Sequence, residues 1–394
     1  MDARTHAPAS GEHDTRPYPL AGVKVLDFSH VLSGPHCTML LADLGAEVVK
    51  VERPGTGDEN RRMRSYAGRQ PHDEDYFYPM NRNKKSIEVN LKDPADRERV
   101  ITLMKTSDVV VENFTPGAMK KLGLDYESAK VVNPRLVYCS ISGYGQTGPY
   151  RNRKAYDSII QAFAGVMSIT GEADGPPLRS GLMFADLTGA MYALSAILVS
   201  LYARERTGLG NYIDLSMSDA LLSLYSTNAA EYMATGKSPG RAGSENPGRS
   251  PTGSYLCADD RYVQVMGGSD RLWPGFCAAV GRPDLAEDVR FASNEARIAN
   301  RKQLRAILTP VFRSKPSAEW VEQMSVLGLP IAPINTLADA MNDPHFQHRE
   351  MDLRLEHPRS GEIRTINNPF RFSTYATWQH KSPPLLGQHN DEYR

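Results

Sequence analysis

Val23-Lys-Val-Leu-Asp-Phe28 and Ala46-Glu-Val-Val-Lys-Val-Glu52 are the two stretches on which the fold of this chain turns. Both are short and rich in β-branched residues, the pattern of buried strands. Between them Ser33-Gly34-Pro35 breaks the first strand, and His36–Leu44 reads as a helix. Strand, helix, strand in that order is a β-α-β unit, the seed of a parallel sheet with helices on its faces. The alternation continues with a strand at Lys85–Asn90, a helix at Pro94–Thr106, a strand at Asp108–Glu112, a helix beginning at Pro116–Leu122 and a strand at Leu136–Ser142. This part of the chain is therefore predicted to be a doubly wound, Rossmann-like α/β layer.

Further along, Ala190–Ala203 is apolar and of helical length, Asn211–Leu215 is a strand and Ser218–Tyr232 a helix. Gly236–Gly253, rich in Gly, Ser and Pro, is a loop or a domain boundary. A smaller α+β unit follows, with a strand at Tyr262–Met266, helical segments to about 325 and an extended Pro330–Asn335. A hairpin spans Leu355–Asn367 and turns at Arg359-Ser360-Gly361, and Pro383-Pro384 excludes a helix there. The expected division is a disordered tail at 1–17, a large domain at 18–225, a linker and small domain at 226–330, and a segment at 331–394 that returns to the large domain.

Composition excludes several function classes. Lys+Arg and Asp+Glu both number 46, so no bulk field favours nucleic acid or an anionic membrane, and a polyanionic ligand needs local basic residues. Cys37, Cys139, Cys257 and Cys277 are far apart, with no CxxC or Cys/His spacing, so neither a disulfide framework nor a metal site is expected. They read as cytoplasmic thiols. No long apolar run lacks charge, so no membrane span is expected. The first residues have no apolar core and do not form a signal peptide.

Asp186 is a single carboxylate among small and apolar residues, directly ahead of the Ala190–Ala203 segment. A carboxylate there has two possible jobs. It can cap the helix, which the residue pattern alone favours, or it can attack an electrophile beside the helix's positive end. Gly143-Tyr-Gly145-Gln-Thr-Gly148 fits GxGxxG, but Pro149 and a run of Arg and Asn follow instead of a helix, so a turn is the better reading than a dinucleotide site. Arg53 follows a strand, at the edge where α/β sheets bind ligands, and Lys92, Lys121 and Lys154 follow other elements. Singly each is a solvated charge; together they can clamp a phosphorylated ligand. No GxSxG elbow is present, and His30 is either a hydrogen-bonded histidine or a base.

The ordered blocks LAGVKVLDFSHVLSGP (20–35), LLADLGAEVVKVERPGTGD (40–58), NRNKKSIEVNLK (81–92), VVVENFTPGAMKKLGLDY (109–126), SISGYGQTGP (140–149), AYDSIIQAFAG (155–165), GPPLRSGLMFADLTGAMYAL (175–194) and PPLLGQH (383–389) closely resemble the class III CoA-transferases, the CaiB/BaiF family. The resemblance implies a large α/β domain, a smaller domain and two interlocked ring-shaped subunits. It makes Asp186 a nucleophile on an acyl-CoA thioester, through aspartyl anhydride and aspartyl-CoA intermediates. It places CoA, as substrate and not as a resident cofactor, along Val31, Leu32, Ser33, Arg53, Val89, Lys92, Asn113, Phe114, Lys121, Leu122, Lys154 and Met217. Tyr76 and Tyr156 match positions near the acyl carboxylate. The formyl-CoA:oxalate enzymes of the family have Gln where this chain has Leu32, and a glycine-rich loop for which Gly267-Gly268 is the nearest counterpart. The α-methylacyl-CoA racemases pair the aspartate with a His where this chain has Tyr156, and two-base proton transfer needs such a group. The expected reaction is CoA transfer from succinyl-CoA or a similar short donor to a C4–C6 dicarboxylate, its remote carboxylate held by Arg61, Arg62, Arg64 or Arg179. Racemisation, oxalate or carnitine transfer, and CoA binding without catalysis are the competing readings.

Overall fold

The computed structural model describes residues 16–63, 74–377 and 381–394. The expected tail falls outside this range up to residue 15. Arg16 and Pro17 are held in place: Arg16 donates to the Phe372 carbonyl at 2.8 Å, and the Ala376 N–H donates to Pro17 at 3.1 Å. The chain divides into two compact units.

The first unit takes the described residues up to Val166, together with Arg179–Ala230 and Pro344–Arg394. Its sheet has six parallel strands, β1 (Lys24–Asp27), β2 (Glu47–Glu52), β3 (Lys85–Glu88), β4 (Val109–Glu112), β5 (Val137–Ser142) and β6 (Asn211–Ser216). Their spatial order is β3-β2-β1-β4-β5-β6. Successive residues of one strand enter opposite cores, as the period-2 geometry requires. Val25, Val48, Val109, Val111, Val137 and Cys139 pack with the helix Ser33–Asp43 and the long helix Phe184–Thr207. Leu26, Val49, Val51, Ile87, Val110 and Tyr138 pack with Val100 and Met104 of the helix Pro94–Thr106. The inner strands β1, β2, β4 and β5 are covered on both faces and buried along nearly their whole length.

Ser33-Gly34-Pro35 does not break the chain into a loop; it is the first turn of the Ser33–Asp43 helix. Proline costs nothing there, because first-turn N–H groups have no partner within the helix. Gly34 permits a close approach, since a Cβ on it would lie 2.2 Å from the Ser29 Cβ. The expected Ser218–Tyr232 helix is two, Met217–Ser223 and Ser226–Thr235, separated where Ser226 takes φ 41°.

The long helix Phe184–Thr207 is long and apolar enough to cross a membrane by length and composition. Its Ala185, Gly189, Ala190, Ala193, Leu194, Ile197 and Leu201 are buried in the first core. At the chain's end, the hairpin β10 (Asp352–His357) and β11 (Gly361–Ile366) packs Leu353, Leu355 and Ile363 on Phe77 and Tyr78. The final segment then seals the edge strand β3: the His389 N–H donates to Ser86 at 3.0 Å and the Glu88 N–H to Asn390 Oδ1 at 2.7 Å.

The second unit comprises Met167–Leu178 and Glu231–Asp343. It carries the antiparallel sheet β7 (Thr252–Leu256), β8 (Tyr262–Met266) and β9 (Ile331–Pro333). Its core is aromatic, with Trp273, Phe276, Phe312 and Trp320 buried. Two boundaries depart from expectation. The unit runs on to Asp343 instead of ending at 330, because β9 pairs with β8. It also claims Met167–Leu178, where Arg241 donates to the Gly175 carbonyl at 2.7 Å. Gly267 and Gly268 are packing glycines of this unit: a Cβ on the first would meet Phe276 at 2.6 Å, and on the second the Ser250 nitrogen at 2.8 Å.

Candidate active site

The strand order reverses direction of growth between β1 and β4, and the crevice at such a point is where open α/β sheets take ligands. A cavity of about 930 Å³ opens there, within the first unit. The segment after β1 forms one wall. Asn113 pins it from the end of β4, accepting from the His30 N–H and donating to the His30 carbonyl, both at 2.8 Å. Val31 is held at φ 68°, a left-handed conformation that a β-branched residue rarely adopts. Its N–H donates to Asp58 at 3.2 Å and its carbonyl accepts from Asn60 at 2.6 Å. These contacts hold the strain and fix the following Leu32 and Ser33 at the cavity rim.

Val31, Leu32, Ser33, Arg53, Val89, Lys92, Asn113, Phe114, Leu122, Lys154, Tyr156, Met217 and Asp186 all line this one cavity. They come from loops across the whole sheet edge, so a single ligand can touch them together. Two expected residues stand apart. Lys121 is exposed outside the lining, because the short Ala118–Leu122 helix turns Leu122 inward instead. Tyr76 is half-buried away from the cavity, its carbonyl accepting from Asn60 at 3.2 Å. His30 lines the wall with its ring 5.3 Å from that of Phe114, and burial pushes its pKa down.

The expected arginines separate clearly. Arg61 is buried and fully engaged, bidentate on Glu52 at 2.7 Å and 2.7 Å and on Glu74 at 2.7 Å. With a further bond to the Pro384 carbonyl at 3.1 Å, it spends four of its five N–H donors inside the protein. Arg179 is exposed and outside the lining, and Arg64 lies outside the described residues. Arg62 lines the cavity and is exposed. Arg151 and Arg153 also line it, although sequence reasoning passed over them as ordinary loop charges. Gly143 and Tyr144 sit on the wall in a turn after β5, which Gly145 continues at φ 84°, with no helix before Asp157.

Asp186 is the third residue of the long helix. It does not cap it. The cap position is Met183, and the acceptor is Asp157, at the start of the short helix Asp157–Phe163. The Ala185 N–H donates to Asp157 Oδ1 at 2.7 Å and the Asp186 N–H to the same oxygen at 3.3 Å. Asp157 is buried, and Gln161 donates to its other oxygen at 2.6 Å. Among the described residues the Asp186 carboxylate takes no hydrogen bond and has no ion-pair partner. Burial first, and the Asp157 charge second, push its pKa up to about 7. An unpaired carboxylate on a cavity wall, near half-ionised at neutral pH, is an available nucleophile.

Comparison with known proteins shows the family of the chain. The model of CoA-transferase family III matches residues 20–390. An acetyl-CoA:oxalate CoA-transferase of Acetobacter aceti is 40% identical over 91% of this chain and 90% of its own length. A succinyl-CoA:glutarate CoA-transferase of Mus musculus is 39% identical over 94% of this chain and 84% of its own length. The crystal structure of a CaiB/BaiF family protein from Brucella suis superposes with a TM-score of 0.86 at 37% identity, covering 96% of this chain and 98% of that one. With the model matching nearly the whole length, the chain belongs to CoA-transferase family III.

Proposed function

We propose that this CoA-transferase moves CoA from succinyl-CoA, or a similar short acyl-CoA, to a C4–C6 dicarboxylate. The observation that carries the reading is Asp186 itself: a carboxylate on the cavity wall, relieved of capping by Asp157 and free of any partner among the described residues. Its oxygen attacks the thioester carbonyl, the C–S bond breaks, and CoA leaves as a thiolate with a mixed anhydride behind it. The thiolate attacks the aspartyl carbonyl, releasing the donor acid and leaving an aspartyl-CoA thioester. The acceptor carboxylate attacks that thioester, the C–S bond breaks to release the CoA thiolate again, and a second anhydride forms. The thiolate then takes the acceptor's acyl group and frees Asp186. No proton need be moved in any step.

CoA lies along the cavity, its phosphates met by Arg53, Lys92 and Lys154 with Arg151 and Arg153. The chain's zero net charge makes this local set necessary. Arg62 is the arginine we assign to the acceptor's remote carboxylate, since it lines the cavity and Arg61 is consumed by Glu52. CoA enters as a substrate, and no resident cofactor takes part. The subunit pairs with a second copy in interlocked form, a reading supported by exposed apolar residues such as Val199 and Tyr202 on the long helix. Four free, buried thiols fit a reducing cytoplasm.

Relatives named for glutarate and for oxalate leave the acceptor as the point to test. Steady-state kcat/KM with succinyl-CoA and a panel of acids should follow ping-pong kinetics and favour glutarate-length acids. A tenfold preference for oxalate, on the order of 1.4 kcal/mol, makes Leu32 compatible with the compact acid and overturns the assignment. Exchange of the α-hydrogen of a single acyl-CoA with solvent, without an acceptor, identifies a racemase instead.

A further inference from the structure

We propose that Asp157 is a positioning residue for the nucleophile: its buried carboxylate takes over the cap of the long helix and leaves the Asp186 side chain free to react. The inference rests on the reading of Asp186 as nucleophile. It starts from an inversion of roles. Asp186 stands in the first turn of the long helix, where a carboxylate ordinarily turns back onto its own helix's N–H groups. Two of those groups are already taken. The Ala185 and Asp186 N–H groups both reach Asp157 Oδ1, at 2.7 Å and 3.3 Å.

Asp157 is itself fixed. It begins its own helix, is 7% exposed, and receives Gln161 Nε2 on Oδ2 at 2.6 Å. Gln161 is fully buried and ties the chain leading into the long helix, accepting from the Ser180 N–H at 2.9 Å and donating to the Leu182 carbonyl at 3.3 Å. One carboxylate and one amide thus set both the start of the long helix and the approach to it. A nucleophile bonded to its own helix must break that bond before attacking; Asp186 has none to break.

The charge of Asp157 has a second effect. It offsets the positive end of the helix and keeps the neighbouring Asp186 basic, which favours attack by a carboxylate. The elements packed against the long helix bring other titratable groups, His36, Cys37 and Asp43 on the first helix, Asp219 on the Met217–Ser223 helix, Cys139 on β5 and Asp214 on β6. Lys154 and Tyr156 face the same cavity. Among all these the Asp157 charge is the one that acts on the Asp186 carboxyl.

Two variants test this in the intact enzyme. Asp157→Asn keeps an oxygen acceptor and removes the charge. The ascending limb of its kcat/KM–pH profile, which reports the ionisation of Asp186 in the free enzyme, should move to lower pH by about half a unit or more. Asp157→Ala removes the acceptor as well; kcat should fall about tenfold or more while KM for acyl-CoA stays within about twofold. A limb in Asp157→Asn that coincides with wild type overturns the proposal, and that variant decides the question if Asp157→Ala does not fold. A wild-type kcat in folded Asp157→Ala overturns it too. Hydroxylamine trapping in wild type separates the two levels. Trapping at Asp186 with no shift in Asp157→Asn refutes only this inference, whereas no trapping at Asp186 refutes the nucleophile reading beneath it.

Discussion

The floor of the cavity and the start of the long helix both hold buried carboxylates, and the protein treats them in opposite ways. Under the cavity three acids each have a base. Lys84 reaches Asp27 at 3.1 Å, Lys50 reaches Asp58 at 2.9 Å, and Arg61 clasps Glu52 at 2.7 Å. Burial pushes these carboxyls up, but the adjacent lysines and arginine, with hydroxyl and N–H donors, outweigh it and hold all three acids below their usual range. At the helix start Asp157 has hydrogen bonds but no cation, and Asp186 has neither. There burial goes uncompensated, and Asp186 rises to about 7. Paired carboxylates build the wall and its strained Val31 turn. The unpaired one is left for chemistry. Glu112 at the end of β4 is also buried without a cation and pushed up to about 7, but it accepts from the Phe114 N–H at 2.8 Å and does not line the cavity; Asp186 is set apart by standing on the cavity wall with nothing bound to it.

Removing one member from each cluster should break the comparison most sharply. Asp186→Asn keeps the side chain's size and should lower transfer by about a thousandfold or more, with CoA binding retained in calorimetry. Arg61→Ala leaves Glu52 buried without its partner and should cost about 3–5 kcal/mol of stability in denaturant titration. Transfer in that variant should fail through loss of folded protein, and refolded fractions should keep their acceptor preference.

The two clusters should also respond to pH with opposite sign. Asp27, Glu52 and Asp58 have lowered pKa values, so their stabilisation is present above the ordinary carboxylate range, about pH 4, and is lost as pH falls below it. Asp186 is raised, so its ionisation costs stability that appears as pH rises from about 4 and is complete above about 7. Thermal melts of wild type and Asp186→Asn should therefore coincide near pH 4 and diverge toward pH 8, with the Asn variant the more stable. Parallel curves across that range contradict the unpaired state of Asp186. The smallest effect belongs to Arg62. Arg62→Ala should reduce the kcat/KM preference for a dicarboxylate over a monocarboxylate of equal length by about tenfold, roughly 1.4 kcal/mol. An unchanged ratio assigns Arg62 to the phosphates or to solvent.

The sheet was legible because its strands carry a local signal: Val23–Phe28 and Ala46–Glu52 are short and rich in β-branched valine, even though Lys24, Asp27, Glu47, Lys50 and Glu52 interrupt the apolar residues. The basic part of the cavity lining, Arg53, Lys92 and Lys154, was legible from position; the apolar part was legible only through the resemblance, since Val31, Val89 and Met217 are ordinary apolar residues until topology gathers them. What escaped was contact made through space. Asp157 looks like any acid opening a short helix, and nothing local says that it caps another helix at Ala185. Arg61 and Arg62 are neighbours in sequence, yet one is locked by Glu52 and the other faces the cavity. Strand β7 was hidden at the end of a Gly- and Ser-rich stretch, where pairing with β8 overrides weak propensity. The segment Met167–Leu178 joins the second unit through its own backbone carbonyls, which accept from the Gly243 N–H and the Arg241 side chain, and no side-chain pattern within the segment announces that.

The account depends on a covalent bond to Asp186, and that bond can be observed. The enzyme would be incubated with succinyl-CoA and hydroxylamine, digested, and the peptide containing Asp186 weighed. The account predicts a hydroxamate at Asp186, absent without acyl-CoA, with loss of transfer in proportion to modification. An unmodified Asp186 in enzyme that turns over succinyl-CoA at full rate would contradict it.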